Sequence, residues 1–467
     1  MTPSAPVKEI KLGKALLCAA GAIVSFNLAY TFASCEFLMV VFFLCLFPLA
    51  RLRTRRLAYY FGLGIGMAVY APHLRFFWTI FGGGAIALWY VLSFWLGMFV
   101  MLARSCQHRF GPVAWACLAP FLWTGLEFFR SELYYLRFSW LNAGYAFSDS
   151  SALHYLSAYG VYGIGFLFMA AAAVAHQRGR ARWIGLVLLT VAILYPACIT
   201  AHTGSPQKTL RVAGVQLEQS GSPSVISALN ETAAKFPDTD LFVLSEYTFT
   251  EPIPNTVKVW CRKNRKFLVL GAEDPVLSLT NYFNTAFVVD TNGDIVFRQA
   301  KSVPVQFFKD GLPARSQQIW ESPWGKIGLA ICYDDSYSRV TDELIRQGAQ
   351  ALIIPTMDME VWGAAQHLLH GRVASVRAAE YAVPLFRVCS SGFSEIIDGT
   401  GRVLSSAPFP GENAMLAGEM TLPARGRMPP DRWLARLSVA VVAALVLWLA
   451  GETLWHKLTN HHPPSTP

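Results

Sequence analysis

From about residue 15 to residue 200 the chain alternates apolar runs with short clusters of arginine, lysine and aromatic residues. Apolar runs begin at Ala15, Phe37, Leu57, Ile80, Pro112, Leu153 and Trp183, and one more, Leu434 to Ala450, follows a long segment of ordinary polarity. Runs near the ~20 residues that cross a bilayer predict about eight membrane helices, the shorter ones completed by aromatic flanks such as Tyr70, Phe76 to Trp78 and Trp183. The first run, preceded by Lys8, Lys11 and Lys14, has the outline of a signal peptide. It lacks a small-residue cleavage site and another apolar run follows at once, so it reads as the first span.

Residues 205–425 are patterned differently. Leu210 to Gln216, Leu241 to Ser245, Phe267 to Gly271, Thr285 to Asp290, Lys326 to Ile331 and Ala351 to Pro355 read as short buried strands, and Glu380 to Val388 leads into another. Helical stretches fall between them, at Ser224 to Lys235, Thr256 to Arg265, Val340 to Gln347 and Ala364 to Tyr381. Asn292-Gly293 predicts a hairpin turn. Strands alternating with helices predict a layered α/β domain. The expected organisation is a helical bundle over 1–204, the α/β domain over 205–425, and a last helix with its tail over 426–467.

Composition agrees with the pattern: 54% of residues are hydrophobic, 15% are charged, and the mean hydropathy is +0.36. An ordinary soluble domain is about a quarter charged. The net charge of +9 raises the question of nucleic acid, but the arginines sit in short loops between apolar runs, where membrane topology accounts for them. Lys8 to Lys14, Arg51 to Arg56, Arg104 with Arg109, Arg178 to Arg182 and Lys457 fall on one side, and only Arg75, Arg130 and Arg137 on the other. The positive excess marks the cytoplasmic face, which puts the α/β domain outside the cytoplasm. The nine cysteines show neither metal-binding spacing nor a disulfide framework, which leaves room for one reactive thiol.

Three polar residues each follow a strand-like run. Glu246 ends Leu-Phe-Val-Leu-Ser-Glu, Lys301 ends Val-Phe-Arg-Gln-Ala-Lys, and Cys332 ends Gly-Leu-Ala-Ile-Cys. Taken singly, a strand-end cysteine is more often a small core residue, and strand-end Glu and Lys are commonly just solvated. Brought together, a carboxylate, an ammonium and a thiol make an acyl-transfer site: base, oxyanion stabiliser and nucleophile.

The flanks sharpen this. Leu-Ser-Glu246-Tyr, Asn281-Tyr-Phe-Asn284, Lys301-Ser-Val-Pro304, Gly328-Leu-Ala-Ile-Cys332-Tyr333-Asp334, Trp362-Gly363, Gln366-His367 and Arg377-Ala-Ala-Glu380 resemble the nitrilase superfamily over about Leu210 to Thr421. With the spans around it, the whole chain resembles the membrane-embedded apolipoprotein N-acyltransferases. The resemblance implies an αββα sandwich, a triad of Glu246, Lys301 and Cys332 that forms a thioester, and supporting roles for Tyr333, Asp334, Asn284, Trp362 and His367. It further implies a phospholipid acyl donor, a diacylated apolipoprotein acceptor, no metal or organic cofactor, a monomer, and residence in the bacterial inner membrane with the sandwich on the periplasmic side. A second glutamate that the family carries after its lysine has no match here; Asp334 is the expected stand-in, with Asp310 the alternative, and Lys309 competes with Lys301 for the lysine role. A membrane-bound amidase or a TraB-type conjugation protein with the same triad is the competing reading.

Overall fold

The computed structural model describes residues 8–148, 151–199, 208–218, 221–276, 278–411 and 413–459, so the expected boundary at 204/205 lies outside the described residues. The N-terminal half is helical: α1 (Leu12–Thr31), α2 (Leu38–Leu46), α3 (Arg55–His73), α4 (Phe76–Phe81), α5 (Gly84–Phe128), α6 (His154–Ala175) and α7 (Gly179–Ile199). Among the described residues five helical stretches are long and apolar enough to cross a membrane: Leu12–Thr31, Gly84–Leu133, His154–Ala175, Gly179–Pro196 and Asp431–Glu452; Leu38–Arg51 is apolar but shorter. The long α5 breaks at Gly111, whose φ of 81° is open to glycine, and Pro112 begins the second rod. Unbroken, its 45 residues would span ~68 Å, more than twice the hydrocarbon core.

Small residues let α3 and α5 touch backbone to backbone. A Cβ on Gly62 would lie 2.5 Å from the Leu96 carbonyl oxygen, and one on Gly66 2.7 Å from the Ser93 Cα. This Gly-x-x-x-Gly contact suits a bilayer, where lipid is as apolar as leucine and association rests on close packing.

The second half holds β1 (Lys208–Val215), α8 (Ser222–Lys235), β2 (Leu241–Val243), α9 (Asn255–Asn264), β3 (Phe267–Val276), β4 (Ser278–Val289), β5 (Ile295–Ala300), β6 (Ile319–Ser322), β7 (Gly325–Leu329), α10 (Ser338–Arg346), β8 (Ala351–Thr356), α11 (Ala364–Tyr381), β9 (Leu385–Cys389), β10 (Ser394–Ile397), β11 (Val403–Ala407) and β12 (Met415–Leu422), followed by α12 (Asp431–Thr459). Two six-stranded sheets form, ordered β12-β1-β2-β3-β4-β5 and β11-β10-β9-β8-β7-β6. β1, β2 and β3 run parallel in one, and β7, β8 and β9 run parallel in the other.

Strand alternation builds the layers. Leu241 and Val243 of β2 face Ile327, Leu329 and Ile353 between the sheets, while Phe242 and Leu244 face outward onto Val225, Leu229 and Trp260 of α8 and α9. Leu352 and Ile354 of β8 face outward onto Leu344, Ala374 and Ala378 of α10 and α11. The result is the expected helix–sheet–sheet–helix sandwich. β6, β10, β11 and β12 lie beyond the strands read from the sequence. The hairpin at Asn292-Gly293 forms, with Gly293 at φ 83° and its N–H donating to the Asp290 carbonyl.

The α11 helix is buried on both sides, packing Ala374 and Ala378 on the sheet and Leu369, Val373 and Val376 on the bundle core. It is the main shared element between bundle and sandwich. At the same junction Arg432 of α12 meets Asp342 at 3.0 Å and Glu380 at 3.3 Å.

Candidate active site

The parallel strands deliver their C-terminal ends to one edge, where an α/β sheet exposes polar groups. Glu246 follows β2, Lys301 follows β5, Cys332 follows β7, and Met357 with Asp358 follows β8. The three predicted residues meet there. Lys301 Nζ lies 2.8 Å from Glu246 Oε1, both side chains fully buried. Glu246 Oε2 accepts the Met357 N–H at 2.8 Å, and the Glu246 carboxylate is near enough to the Cys332 thiol for its charge to raise the thiol pKa. Cys332 Sγ also approaches the Met357 carbonyl at 3.8 Å. The Cys332 backbone sits at φ 49°, left-handed for a residue with a Cβ, because β7 ends at Leu329 and the chain turns at once into the tight turn Cys332–Ser336. Such strain persists only where the surroundings fix it.

The electrostatics favour a neutral thiol at rest. Burial pushes the Cys332 thiol well above its ordinary value, Glu246 adds to the rise, and Lys301 opposes both. Burial would lower Lys301, but Glu246, Asp310 and Cys332 together raise it, so it stays a cation. The arrangement suits transfer of the thiol proton to Glu246 during attack, beside a fixed positive charge for the developing oxyanion.

The expectation for the second carboxylate is corrected by the geometry. Asp310 Oδ2 lies 2.7 Å from Lys301 Nζ, whereas Asp334 accepts the backbone N–H groups of Ser302, Val303 and Ile331 at 2.7–3.2 Å. A one-turn helix after Cys332 aims Asp334 back at the lysine loop, so it clamps that loop's backbone. Burial raises Asp334 to about 7, against the pull of Lys301 and these donors. Burial would raise Asp310, but Lys301 together with the Val305 and Asn284 donors holds it below the ordinary carboxylate range. Lys309 points elsewhere, with its ammonium 5.8 Å above the Tyr282 ring.

Among the supporting residues, Asn284 Nδ2 donates to Glu246 Oε1 at 2.6 Å and to Asp310 Oδ1 at 2.9 Å, bridging the two carboxylates. Tyr333 and Trp362 line the cavity above Cys332. His367 does not line it: fully buried, it packs at a tilt against Phe409, ring centroids 4.2 Å apart, with Nδ1 3.8 Å from Asp358. One helical turn on, His370 takes that place, stacked on Trp140 at 4.8 Å, with Nδ1 2.9 Å from Asp358 Oδ1. Asp358, His370, Arg387 and Tyr247 escaped the sequence reading. His370 was visible only as a second histidine at i+3 on α11, and Tyr247, whose hydroxyl donates to Asp310 at 3.0 Å, only as the neighbour of Glu246. Cys332, Asp358 and His370 offer ligand atoms within 4.8 Å of one another, but the Asp358 oxygens are engaged by His370 and, at 2.5 Å, by Arg387. Asp358, His370 and Arg387 therefore read as an ion-pair network beside the thiol.

A cavity rises from Cys332. Its floor is Glu246, Lys301 and Cys332; its walls are Phe76, Phe77, Ile80 and Phe81 of α4 and Leu88, Val91 and Leu92 of α5, with Phe307 and Phe308 of the lysine loop. An apolar chamber shared by membrane helices and a thiol accommodates an alkyl chain whose carbonyl reaches sulfur.

Comparison with known proteins agrees with this architecture. Residues 20–174 match the family model of the apolipoprotein N-acyltransferase N-terminal domain, and residues 256–426 that of the carbon-nitrogen hydrolases. An apolipoprotein N-acyltransferase of Geobacter metallireducens is 24% identical over 84% of this chain and 87% of its own length. The deaminated glutathione amidase of Dictyostelium discoideum is 30% identical, but over only 32% of this chain and 58% of its own. Among solved structures, Nit3 of Saccharomyces cerevisiae, from branch 10 of the nitrilase superfamily, aligns with 47% of this chain and 93% of its own at 21% identity and a TM-score of 0.41. The two family models together take in both the bundle and the sandwich, and over most of its length the chain resembles the apolipoprotein N-acyltransferases.

Proposed function

We propose that this enzyme moves a fatty acyl chain from a phospholipid to the α-amine of an N-terminal diacylglyceryl-cysteine by way of a thioester on Cys332. The observation that carries this reading is the apolar cavity that runs from α4 and α5 to the thiol. In the first half-reaction Cys332 Sγ bonds to the ester carbonyl carbon as its proton passes to Glu246. Lys301 stands beside the oxyanion, and collapse expels the lysophospholipid alkoxide, which takes the proton back from Glu246. In the second, the free amine attacks the thioester, Glu246 accepts its proton, and Cys332 leaves and is reprotonated. Asn284, Asp310 and Tyr247 hold Glu246 and Lys301 in place; Tyr333 and Trp362 shape the entrance.

The same proposal includes about eight spans, the two rods of α5 counting separately, with a monomer as the working unit. The sandwich at 205–425 lies on the periplasmic side of the bacterial inner membrane, and the tail after α12 lies in the cytoplasm. Purified enzyme given phospholipid and a diacylated lipopeptide is expected to yield a triacylated lipopeptide by mass. Release of free fatty acid with every amine acceptor offered would favour an amidase-like hydrolase, a reading the carbon-nitrogen hydrolase match over 256–426 keeps in play.

A further inference from the structure

The loop between α5 and α6 carries an arginine that the acyl-transfer chemistry does not use. Arg137 lines the cavity that ends at Cys332. Its guanidinium carbon lies 5.2 Å over the Tyr337 ring, and its Nε is buried without a hydrogen-bond partner. A second guanidinium, that of Arg339, lies 6.0 Å over the same ring. Among the described residues neither arginine forms an ion pair.

Among the described residues the nearby carboxylates form no ion pair with either arginine, although Glu132 Oε2 has no hydrogen-bond partner. Glu132 Oε1 accepts from Tyr162 Oη at 3.0 Å and from the Ser338 N–H at 2.9 Å; Asp334 clamps the lysine loop; Asp310 pairs with Lys301. Two cations flanking one ring repel each other, and Arg339 is held below its ordinary value by burial and by Arg137. Like charges left this way, one of them lining the cavity, are relieved by an anion. The site is built into the enzyme's working parts. The Arg137 carbonyl accepts the Tyr333 hydroxyl at 3.4 Å and the Tyr337 hydroxyl at 3.3 Å, and Gln306 of the lysine loop donates to the Tyr135 carbonyl. An anion here would sit at the head of the apolar chamber, with alkyl chains directed along α4 and α5.

We infer that Arg137, assisted by Arg339, binds the phosphodiester of the acyl donor and so places its ester carbonyl at Cys332. This rests on the acyl-transfer reading, which it deepens by assigning a headgroup subsite. Specificity would then lie in the phosphate, which a diacylglycerol lacks, and less in the groups beyond it.

The test measures binding of short-chain phosphatidylglycerol, and of diacylglycerol with the same chains, to the full-length Cys332→Ala protein in detergent, so that no turnover is needed. Arg137→Gln is expected to weaken phospholipid binding tenfold or more and to leave diacylglycerol unchanged. Arg137→Lys should retain most of the phospholipid affinity, and Arg339→Gln should lose less than Arg137→Gln. Equal losses for both lipids would make Arg137 a structural residue and overturn the proposal. Inorganic phosphate at millimolar concentration displacing the phospholipid completely would assign the site to free phosphate and overturn the headgroup assignment. If binding behaves as expected while wild-type protein never loads an acyl group on Cys332, the site stands and the acyl-transfer reading falls.

Discussion

Lys301 is held by two carboxylates with different work. Glu246 faces both the ammonium and the thiol, whereas Asp310 faces the ammonium, Asn284, Tyr247 and the Val305 N–H. Removing the Asp310 charge loosens Lys301 while leaving the base in place. Asp310→Asn is accordingly expected to slow single-turnover loading of Cys332 by ~10²-fold, the scale of a lost oxyanion-stabilising group. Asp334→Asn should show up chiefly as lost stability, ~1–3 kcal/mol for backbone donors left short of acceptors, with a smaller effect on loading. A dead Asp334→Asn beside an active Asp310→Asn would reverse this assignment. The Asp358–His370 pair gives a pH signature. Asp358 raises the His370 pKa despite burial, so the charged imidazole stabilises the fold below its unfolded value of ~6.5, and that stability is lost as pH rises through the higher folded value. Thermal midpoints of wild type should fall as pH rises from ~6.5 through the higher folded value, and those of His370→Asn should not.

At the scale of elements, α5 both packs and selects. Its Ser93 and Leu96 meet Gly66 and Gly62 of α3, and its Leu88, Val91 and Leu92 line the cavity above Cys332. Gly62→Ala, placing a Cβ 2.5 Å from a backbone oxygen, should lower stability by ~1–3 kcal/mol in detergent unfolding. Leu88→Trp should shorten the accepted chain. At ~0.8 kcal/mol per buried methylene, losing room for two carbons shifts the ratio of loading rates for long over short donors by about tenfold. Much of this level was legible in the sequence. β2, β7 and β8 are apolar on both faces because helices cover one side and a second sheet the other, so Leu241 to Val243 and Ala351 to Thr356 stand out as unbroken runs. The strands that were missed are mostly antiparallel outer ones such as β11, where Val403 and Leu404 are exposed and alternation is blurred. Glu246, Lys301 and Cys332 were legible because each ends a strand. Asp310 was not, because only the folding of the loop after Lys301 returns it to the ammonium, and Asp334 drew attention by its nearness in sequence to Cys332.

In the whole molecule, bundle and sandwich are locked through one buried charge network. Arg377 Nε donates to the Asp335 carbonyl at 2.7 Å and Nη2 to the Ser336 carbonyl at 3.2 Å, fixing the turn that carries Cys332, while Nη2 also reaches Tyr145 of the bundle at 2.9 Å. Glu380 joins Arg377 to Arg432 and accepts the Val161 N–H of α6 at 2.7 Å. Breaking a buried pair by removing one partner costs ~3–5 kcal/mol, so Arg432→Met should destabilise the protein by that order and slow thioester formation, although α12 does not line the cavity above Cys332. The central claim is that the membrane bundle delivers a lipid acyl group to Cys332. Intact-mass measurement of wild-type protein incubated with phospholipid, before and after hydroxylamine, tests it most directly. The account predicts one added acyl mass, removed by hydroxylamine and absent from Cys332→Ala; an unmodified wild type, or a Cys332→Ala protein that still produces acylated lipopeptide, would contradict it.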